Sequence, residues 1–273
     1  MKITILLFAS LLGISPKLQS QTNSLIVPGT RNIGKNLNMK TTEVTINDWI
    51  VFIIDNEFDS TLFPNIDLLS KPSQLLFLDL KKRQDFDYLT ISKPKTDFVL
   101  GRIKLASSTR KLYEESHEEA KGLTLHLPIT GISFTQAKKY CNWLEYRINR
   151  NGRIKVKVDL PSEKIYNEVI TNKDSLNVKG CALFNFIDCH CISNTKKNYN
   201  LYLGKGLTRA DHYWPTEAGL YNLQGNAAEM TDIEGRAKGG SFKHYAKESY
   251  SNQTQYYSGP MEWLGFRYIL SRY

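Results

Sequence analysis

Hydrophobic residues change their spacing several times along this chain, and each change predicts an element. Residues 3–14 are apolar apart from Thr4, Ser10 and Gly13. Residues 21–40 are polar and Asn-rich, with Pro28, Gly29 and Gly34, and read as a linker or irregular arm. Residues 41–45 alternate as a short strand, and Asn47 or Thr45 is placed to cap a helix over 48–56. Residues 57–125 are the least patterned: charged, with Pro64, Pro72 and Pro94, with strands expected at 75–80 and 98–105 and no recognisable chemistry. The next stretch is clearer. Ser133 or Thr135 caps a helix running to about Asn149, because Ala137, Tyr140, Cys141, Leu144 and Ile148 fall on one apolar face. Val156 and Val158 alternate with Lys155, Lys157 and Asp159 as a half-buried strand. Leu160-Pro161-Ser162-Glu163 then opens another short helix. From Gly180 onward the chain is loop-rich and aromatic, without repeats.

The apolar run at the start follows Lys2 and is too short to cross a bilayer, which takes roughly 20 apolar residues. With Ser15-Pro16-Lys17-Leu18-Gln19-Ser20 after it, residues 1–20 read as a secretory signal peptide. The expected localisation is secreted or periplasmic. No later stretch is apolar enough to span a membrane. The net charge of +9 falls to +7 when Lys2 and Lys17 leave with the signal. The basic residues are scattered, which fits weak attraction to anionic glycans or lipids and excludes a nucleic-acid partner. About 250 mature residues suit one domain with a sizeable core, or two small ones. In an oxidising compartment Cys141, Cys181, Cys189 and Cys191 read as disulfides, with three complete pairings open. A bridge between Cys189 and Cys191 would be strained. Cys181 to either of them is the easier geometry, and Cys141 reads as a buried thiol on the helix face.

One ordered set of motifs carries most of the functional information. Gly219-Leu220-Tyr221-Asn222-Leu223-Gln224-Gly225-Asn226-Ala227-Ala228-Glu229-Met230 is the strongest, followed by Lys238-Gly239-Gly240-Ser241-Phe242 and Gly265-Phe266-Arg267. Upstream stand Glu43-Val44-Thr45 with Trp49 and Phe52, Pro128 through Ser133-Phe134 with Tyr140, Cys141 and Trp143, and Asp159-Leu160-Pro161-Ser162-Glu163. Together they resemble the sulfatase-modifying-factor family, which includes the formylglycine-generating enzyme. The likeness spans about 41–273, with 57–125 as a divergent insertion. It implies an α+β, C-type-lectin-like formylglycine-generating-enzyme fold, irregular, with small twisted sheets and two main helices.

The resemblance also implies a structural calcium ion at Asn222, Gly225, Ala227 and Glu229, and a second near Asn185 and Phe186. Alternating side-chain and main-chain oxygens around a tight Gly turn suit a hard cation. The competing reading is that Asn222 caps a turn and Glu229 pairs with Arg267, which must find a carboxylate or carbonyls in its apolar setting. Active formylglycine-generating enzymes carry two copper-binding cysteines after the Gly-Gly-Ser-aromatic turn. Here those positions are His244 and Ser249, which cannot reproduce a two-thiolate copper(I) site, so copper is not expected. In the implied fold Tyr245, Tyr250, Tyr256 and Trp263, among the aromatics of this stretch, surround the family's peptide pocket, where they would stack on a glycan or grip a peptide.

Other chemistries find less support. Cys189-His190-Cys191 with Cys181 offers enough donors for zinc, but the spacing is not that of a finger or ribbon. No His pair stands at i, i+4, no Gly-x-Ser-x-Gly elbow surrounds Ser241, and no phosphate loop is present. The expectation is therefore an exported pseudoenzyme: a binding or scaffold protein of the envelope, with a calcium-stabilised fold and an envelope or extracellular protein or glycan as partner. The alternative is a diverged metal- and oxygen-dependent oxidoreductase acting on a protein or small-molecule thiol.

Overall fold

The structure, a computed structural model, describes residues 27–81, 86–89, 102–105, 124–150, 155–170, 184–187 and 206–273. The signal peptide, Cys181, Cys189, Cys191, His117 and His190 lie outside them. The architecture is α+β, with helices set against small open sheets. Ten strands are described: β1 Thr30–Gly34, β2 Leu37–Lys40, β3 Phe86–Leu89, β4 Arg102–Leu105, β5 Val156–Asp159, β6 Ala228–Met230, β7 Arg236–Lys238, β8 Gln255–Tyr256, β9 Leu264–Gly265 and β10 Ile269–Arg272. Four α-helices accompany them: α1 Ile46–Asp55, α2 Lys71–Lys81, α3 Phe134–Asn149 and α4 Glu163–Val169.

The first sheet has the order β1-β2-β10-β5 and is antiparallel throughout. The second is the β3–β4 hairpin. The third has the order β8-β7-β6-β9, with β6 and β9 parallel. Residues 30–40, expected as linker or irregular arm, are thus a hairpin forming half of the first sheet. Arg31 and Asn32 face solvent whereas Met39 is fully buried, so the polar letters belong to the outer strand. Residues 41–45 are not a strand; only Thr45 bridges, to Pro128. Glu43 and Val44 are both buried, so the alternation there does not separate an inside from an outside face. The apolar run 75–80 lies within α2 rather than a strand, because a short apolar run carries no period of its own. The strand expected over 98–105 is seen as β4, within the described residues.

The three caps are reciprocal or single hydrogen bonds that fix where the helices start. Thr45 Oγ1 accepts from Asp48 N at 3.2 Å while Asp48 Oδ2 accepts from Thr45 N at 3.0 Å, a capping box. Ser133 and Gln136 repeat it at the start of α3. Gln136 also donates from Nε2 to the carbonyls of Thr61 and Phe63, pinning the segment between α1 and α2. Ser162 caps α4 by accepting from Ile165 N. The five α3 residues expected to face inward are all buried. Burial pushes the Cys141 thiol well above its ordinary range, consistent with an inert core group.

The main core is aromatic. Trp49 of α1 stacks on Tyr140 of α3 with ring centroids 5.7 Å apart, and Phe52, Trp143, Phe266 and Tyr268 close around the pair. The Trp49 indole N–H is satisfied by Leu62 O at 3.0 Å. A smaller cluster of Met39, Tyr166, Ile170, Leu220 and Leu223 joins the first sheet to α4 and to the loop that precedes β6. Between these two apolar bodies sits the polar centre of the molecule.

Candidate functional site

The loop before β6 winds through left-handed backbone at Asn222 (φ 48°), Gly225 (φ 78°) and Asn226 (φ 62°). Asparagine and glycine are the residues that adopt this region at least cost. The loop is clasped from two sides. Gly225 N donates to Gly239 O at 2.8 Å, and Asn226 N donates to Asn185 O at 2.9 Å. A Cβ on Gly225 would lie 2.7 Å from Asn185 O, and one on Gly239 would lie 2.6 Å from Leu223 O. Gly225→Ala combines that clash with a positive φ and is expected to cost about 2–4 kcal/mol. Gly29→Ala shares the positive φ (76°) but meets open space, so about 1 kcal/mol is expected there. Chemical denaturation of the two variants checks the contrast; equal losses would remove the packing argument.

The clasped loop delivers its polar side chains inward. Glu229, on β6, and Arg267, between β9 and β10, form a bidentate pair with side-chain exposures of 1% and 0%. Arg267 Nη2 donates to Glu229 Oε1 at 2.5 Å and Nε to Oε2 at 2.6 Å. The remaining guanidinium hydrogens reach Lys40 O, Thr41 O and Tyr221 O, so all five donors are used. The Tyr166 hydroxyl adds a third donor to Glu229, at 2.7 Å. This is the ion pair the sequence offered as the competing role for Glu229.

Beside it lies a second carboxylate that sequence reasoning did not single out. Glu43, fully buried, accepts from Asn226 Nδ2 at 2.9 Å and from Asn222 Nδ2 at 3.3 Å. Two carboxyl groups face one guanidinium. Burial pushes the Glu43 carboxyl up to about 8; Arg267 pulls it down and Glu229 pushes it further up. At neutral pH Glu43 therefore holds a proton and the cluster is close to neutral. Asn226 completes the net, its Oδ1 taking donors from Thr208 and from Asn185 Nδ2. Its place in the Glu43-Val44-Thr45 motif was the one signal available in the sequence, and nothing local to residue 43 names its partners.

Two observations bear on whether these residues suit calcium. Asn222 Oδ1 is a buried oxygen with no hydrogen-bond partner among the described residues, the kind of group a cation or water satisfies. Asn222 Nδ2 points at three acceptors, including Ala210 O at 3.0 Å, which fixes the amide the right way round. Glu229, in contrast, spends both oxygens on Arg267 and Tyr166 and offers no unneutralised charge. The donor set therefore fits at Asn222 and does not fit at Glu229. Asn185 and Phe186, the second expected position, are buried against the same loop: Asn185 Nδ2 donates to Gly206 O at 2.8 Å, and Gly225 packs on the Asn185 backbone.

His244 and Ser249 follow the Gly239-Gly240 turn. His244 Nδ1 shares a 2.6 Å hydrogen bond with Ser241 Oγ, and its ring meets Trp263 edge-on at 4.9 Å. Burial lowers its affinity for a proton. Ser249 is buried, donates from Oγ to Ala246 O at 2.6 Å and accepts from Gln224 Nε2 at 3.0 Å. Each position is thus held in its own hydrogen bond. Ser241 is fully buried. Tyr245 and Tyr256 are exposed, and Tyr250 and Trp263 are half-buried. No ring contact joins these four to one another among the described residues. Among those residues, too, no three His, Cys, Asp or Glu side chains gather as a metal set, and no helix is long and apolar enough to cross a membrane.

A cleft of about 420 Å³ opens elsewhere, between the end of α4, residues 214–218 and the loop at 223–224. None of the aromatic residues expected to line a pocket contributes to it.

No family model matches the chain. No curated protein matches it either. Among solved structures the chain is similar to PvdO from Pseudomonas aeruginosa, at 12% identity and a TM-score of 0.43, over 86% of this chain and 80% of that one. It is similar to variable protein 1 of Treponema denticola at 12% identity and a TM-score of 0.46, over 92% and 93% of the two chains. CarF gives 13% identity and a TM-score of 0.39, over 89% and 95%. Likenesses this distant carry no conclusion about activity.

Proposed function

We propose that this chain is an exported domain of the sulfatase-modifying-factor type, with a C-type-lectin-like fold, that binds an envelope or extracellular protein or glycan without transforming it. The observation that carries the reading is the chemistry at residues 244 and 249. Where the resembling enzymes hold copper with two thiolates, this chain has an imidazole bonded to Ser241 and a hydroxyl bonded to Ala246 and Gln224. A soft monovalent metal selects thiolates, and neither group substitutes for one. The Glu229–Arg267 pair at the polar centre meanwhile has the buried, paired character of a structural element. Calcium belongs to this reading as a stabilising ion, held by Asn222 Oδ1 with the main-chain oxygens of Gly225 and Ala227, while Glu229, with both oxygens on Arg267 and Tyr166, stays outside the donor set.

The test has two arms, both on the mature chain from residue 21. Oxygen consumption is followed with thiol peptides and with copper or iron added; none above the protein-free rate is expected. Uptake that depends on added metal and disappears in His244→Ala would establish the oxidoreductase instead. Thermal unfolding is followed with calcium and with a chelator. Calcium is expected to raise Tm by several degrees, and Asn222→Ala to abolish the increment; a Tm indifferent to both reagents would remove calcium from the reading.

A further inference from the structure

Ser241 and His244 constrain each other more tightly than a single hydrogen bond suggests. Ser241 is fully buried. Its Oγ accepts from Lys243 N at 3.2 Å and lies 2.6 Å from His244 Nδ1. This side chain makes no other hydrogen bond among the described residues. A hydroxyl has one hydrogen to place, and in a buried setting that hydrogen needs an acceptor. His244 Nδ1 is the acceptor within reach, so Nδ1 keeps its lone pair and the imidazole proton sits on Nε2. The opposite tautomer would give Ser241 Oγ two donors and leave its own hydrogen unpaired. Protonating the ring has the same cost, and burial acts in the same direction. Across the ring, Nε2 has no hydrogen-bond partner among the described residues, and it is not one of their buried unpaired atoms. It therefore meets solvent as a donor.

We infer that Ser241 locks His244 as the Nε2–H tautomer, and that this fixed donor receives the acetamido oxygen of a neutral amino sugar. The inference rests on the proposed binding role and names the ligand chemistry of that face. A donor that cannot also accept selects a group that accepts without donating. A carbonyl oxygen is such a group, whereas a sugar hydroxyl does both. The rings beside the donor suit the apolar face of a sugar: Trp263 meets the imidazole at 4.9 Å, and Tyr245, the next residue, is 53% exposed. The charged side chain that precedes His244, Lys243, is paired with Glu262, which favours a neutral acceptor at the imidazole. Ser241 acts here as a positioning residue, and His244 makes the contact.

Long-range proton–nitrogen NMR of the mature chain at neutral pH reads the tautomer directly. A protonated Nε2 and an unprotonated Nδ1 are expected at His244; the reverse, or two averaged nitrogens, would overturn the lock. Triacetylchitotriose is then titrated, with cellotriose, which has hydroxyls in place of the acetamido groups, as its counterpart. Saturable shifts at His244 and binding about fivefold tighter than that of cellotriose are expected. His244→Phe keeps a planar ring against Trp263 without the donor, and should bring the two sugars to equal affinity. Tyr146→Ala, an exposed ring on α3, should leave the preference unchanged. Ser241→Ala should average the two nitrogens and reduce the preference; if that variant fails to fold, His244→Phe carries the test alone. No saturable binding, equal binding of the two sugars by the unaltered chain, or tighter binding of an end-blocked trialanine would each overturn the sugar assignment. Oxygen uptake reports on the binding role separately, so the two failures are distinguishable.

Discussion

Replacing Arg267 with methionine is expected to destabilise the fold by about 3–5 kcal/mol, a large share of the roughly 5–15 kcal/mol that stabilises an ordinary domain. The side chain is fully buried, and its loss strands more than one group. Glu229 would keep a buried negative charge with Tyr166 as its sole donor, beside a second carboxyl at Glu43. The carbonyls of Lys40, Thr41 and Tyr221 would lose a donor in a place where water cannot replace it. Much of the loss therefore comes from what remains rather than from the contact removed. Pairing Arg267→Met with Glu229→Leu removes both charges and should recover a substantial part of the loss, since replacing a whole buried pair by apolar groups is often nearly neutral. Urea denaturation of the two single variants and the double one reads this as a coupling. A single-variant loss below about 1 kcal/mol would mean that the centre is wetter than its geometry.

Stability is expected to fall as pH rises from about 6.5 to 8, which is unusual for a carboxylate. The sign follows from Glu43, raised from 4.5 to about 8 chiefly by burial. Between those values the folded chain keeps a proton that the unfolded chain releases. The contribution of Glu43 is fully present below 4.5 and is lost as pH rises through about 8, at up to about 1.4 kcal/mol per pH unit. His212 and His244, both lowered by burial, act in the opposite direction, and only as pH falls below their ordinary value of 6.5. Among the described residues Glu43 is the group whose shift makes stability fall as pH rises through the window above 6.5. Glu43→Gln should flatten the slope there. It also sets an amide N–H₂ against the donors of Asn222 and Asn226, so its absolute stability drops and the slope is the informative quantity. Parallel slopes in the two proteins would show that Glu43 ionises as an ordinary surface acid does.

Legibility in the sequence tracks how local the determining contact is. The face of α3, its Ser133 cap and the Val156/Val158 strand depend on residues within a few positions of each other, and all three were readable. The β1–β2 hairpin was not, because its polar outer strand resembles a linker and its inner strand is stabilised by pairing with β10. The run 75–80 has no period, and only its length with Lys71 and Pro72 ahead of it makes a helix. At the polar centre the Glu229–Arg267 pair could be anticipated, because a buried arginine demands a carboxylate. Glu43, Tyr166 and Asn226 could not be assigned to it, since a lone acid or hydroxyl does not announce a partner that is distant in sequence, 63 residues away for Tyr166 and 183 between Glu43 and Asn226. The cleft residues escaped for the same reason: Gln224 and Trp214 belong to a cavity wall only once α4 is in place.

The pairing of β2 with β10 sets Met39 opposite Ile269. It has a kinetic meaning as well as an architectural one. Few of the contacts that close the first sheet can form while the chain between those residues is still searching, so this strand joins late, and folding should be slow for a domain of this size. Once formed, the same pairing makes the frame indifferent to how much chain lies inside it. Lengthening an already long loop costs only about 0.6 kcal/mol per doubling, so segments between α2 and α3 can grow or shrink while the sheet that fastens them stays the same.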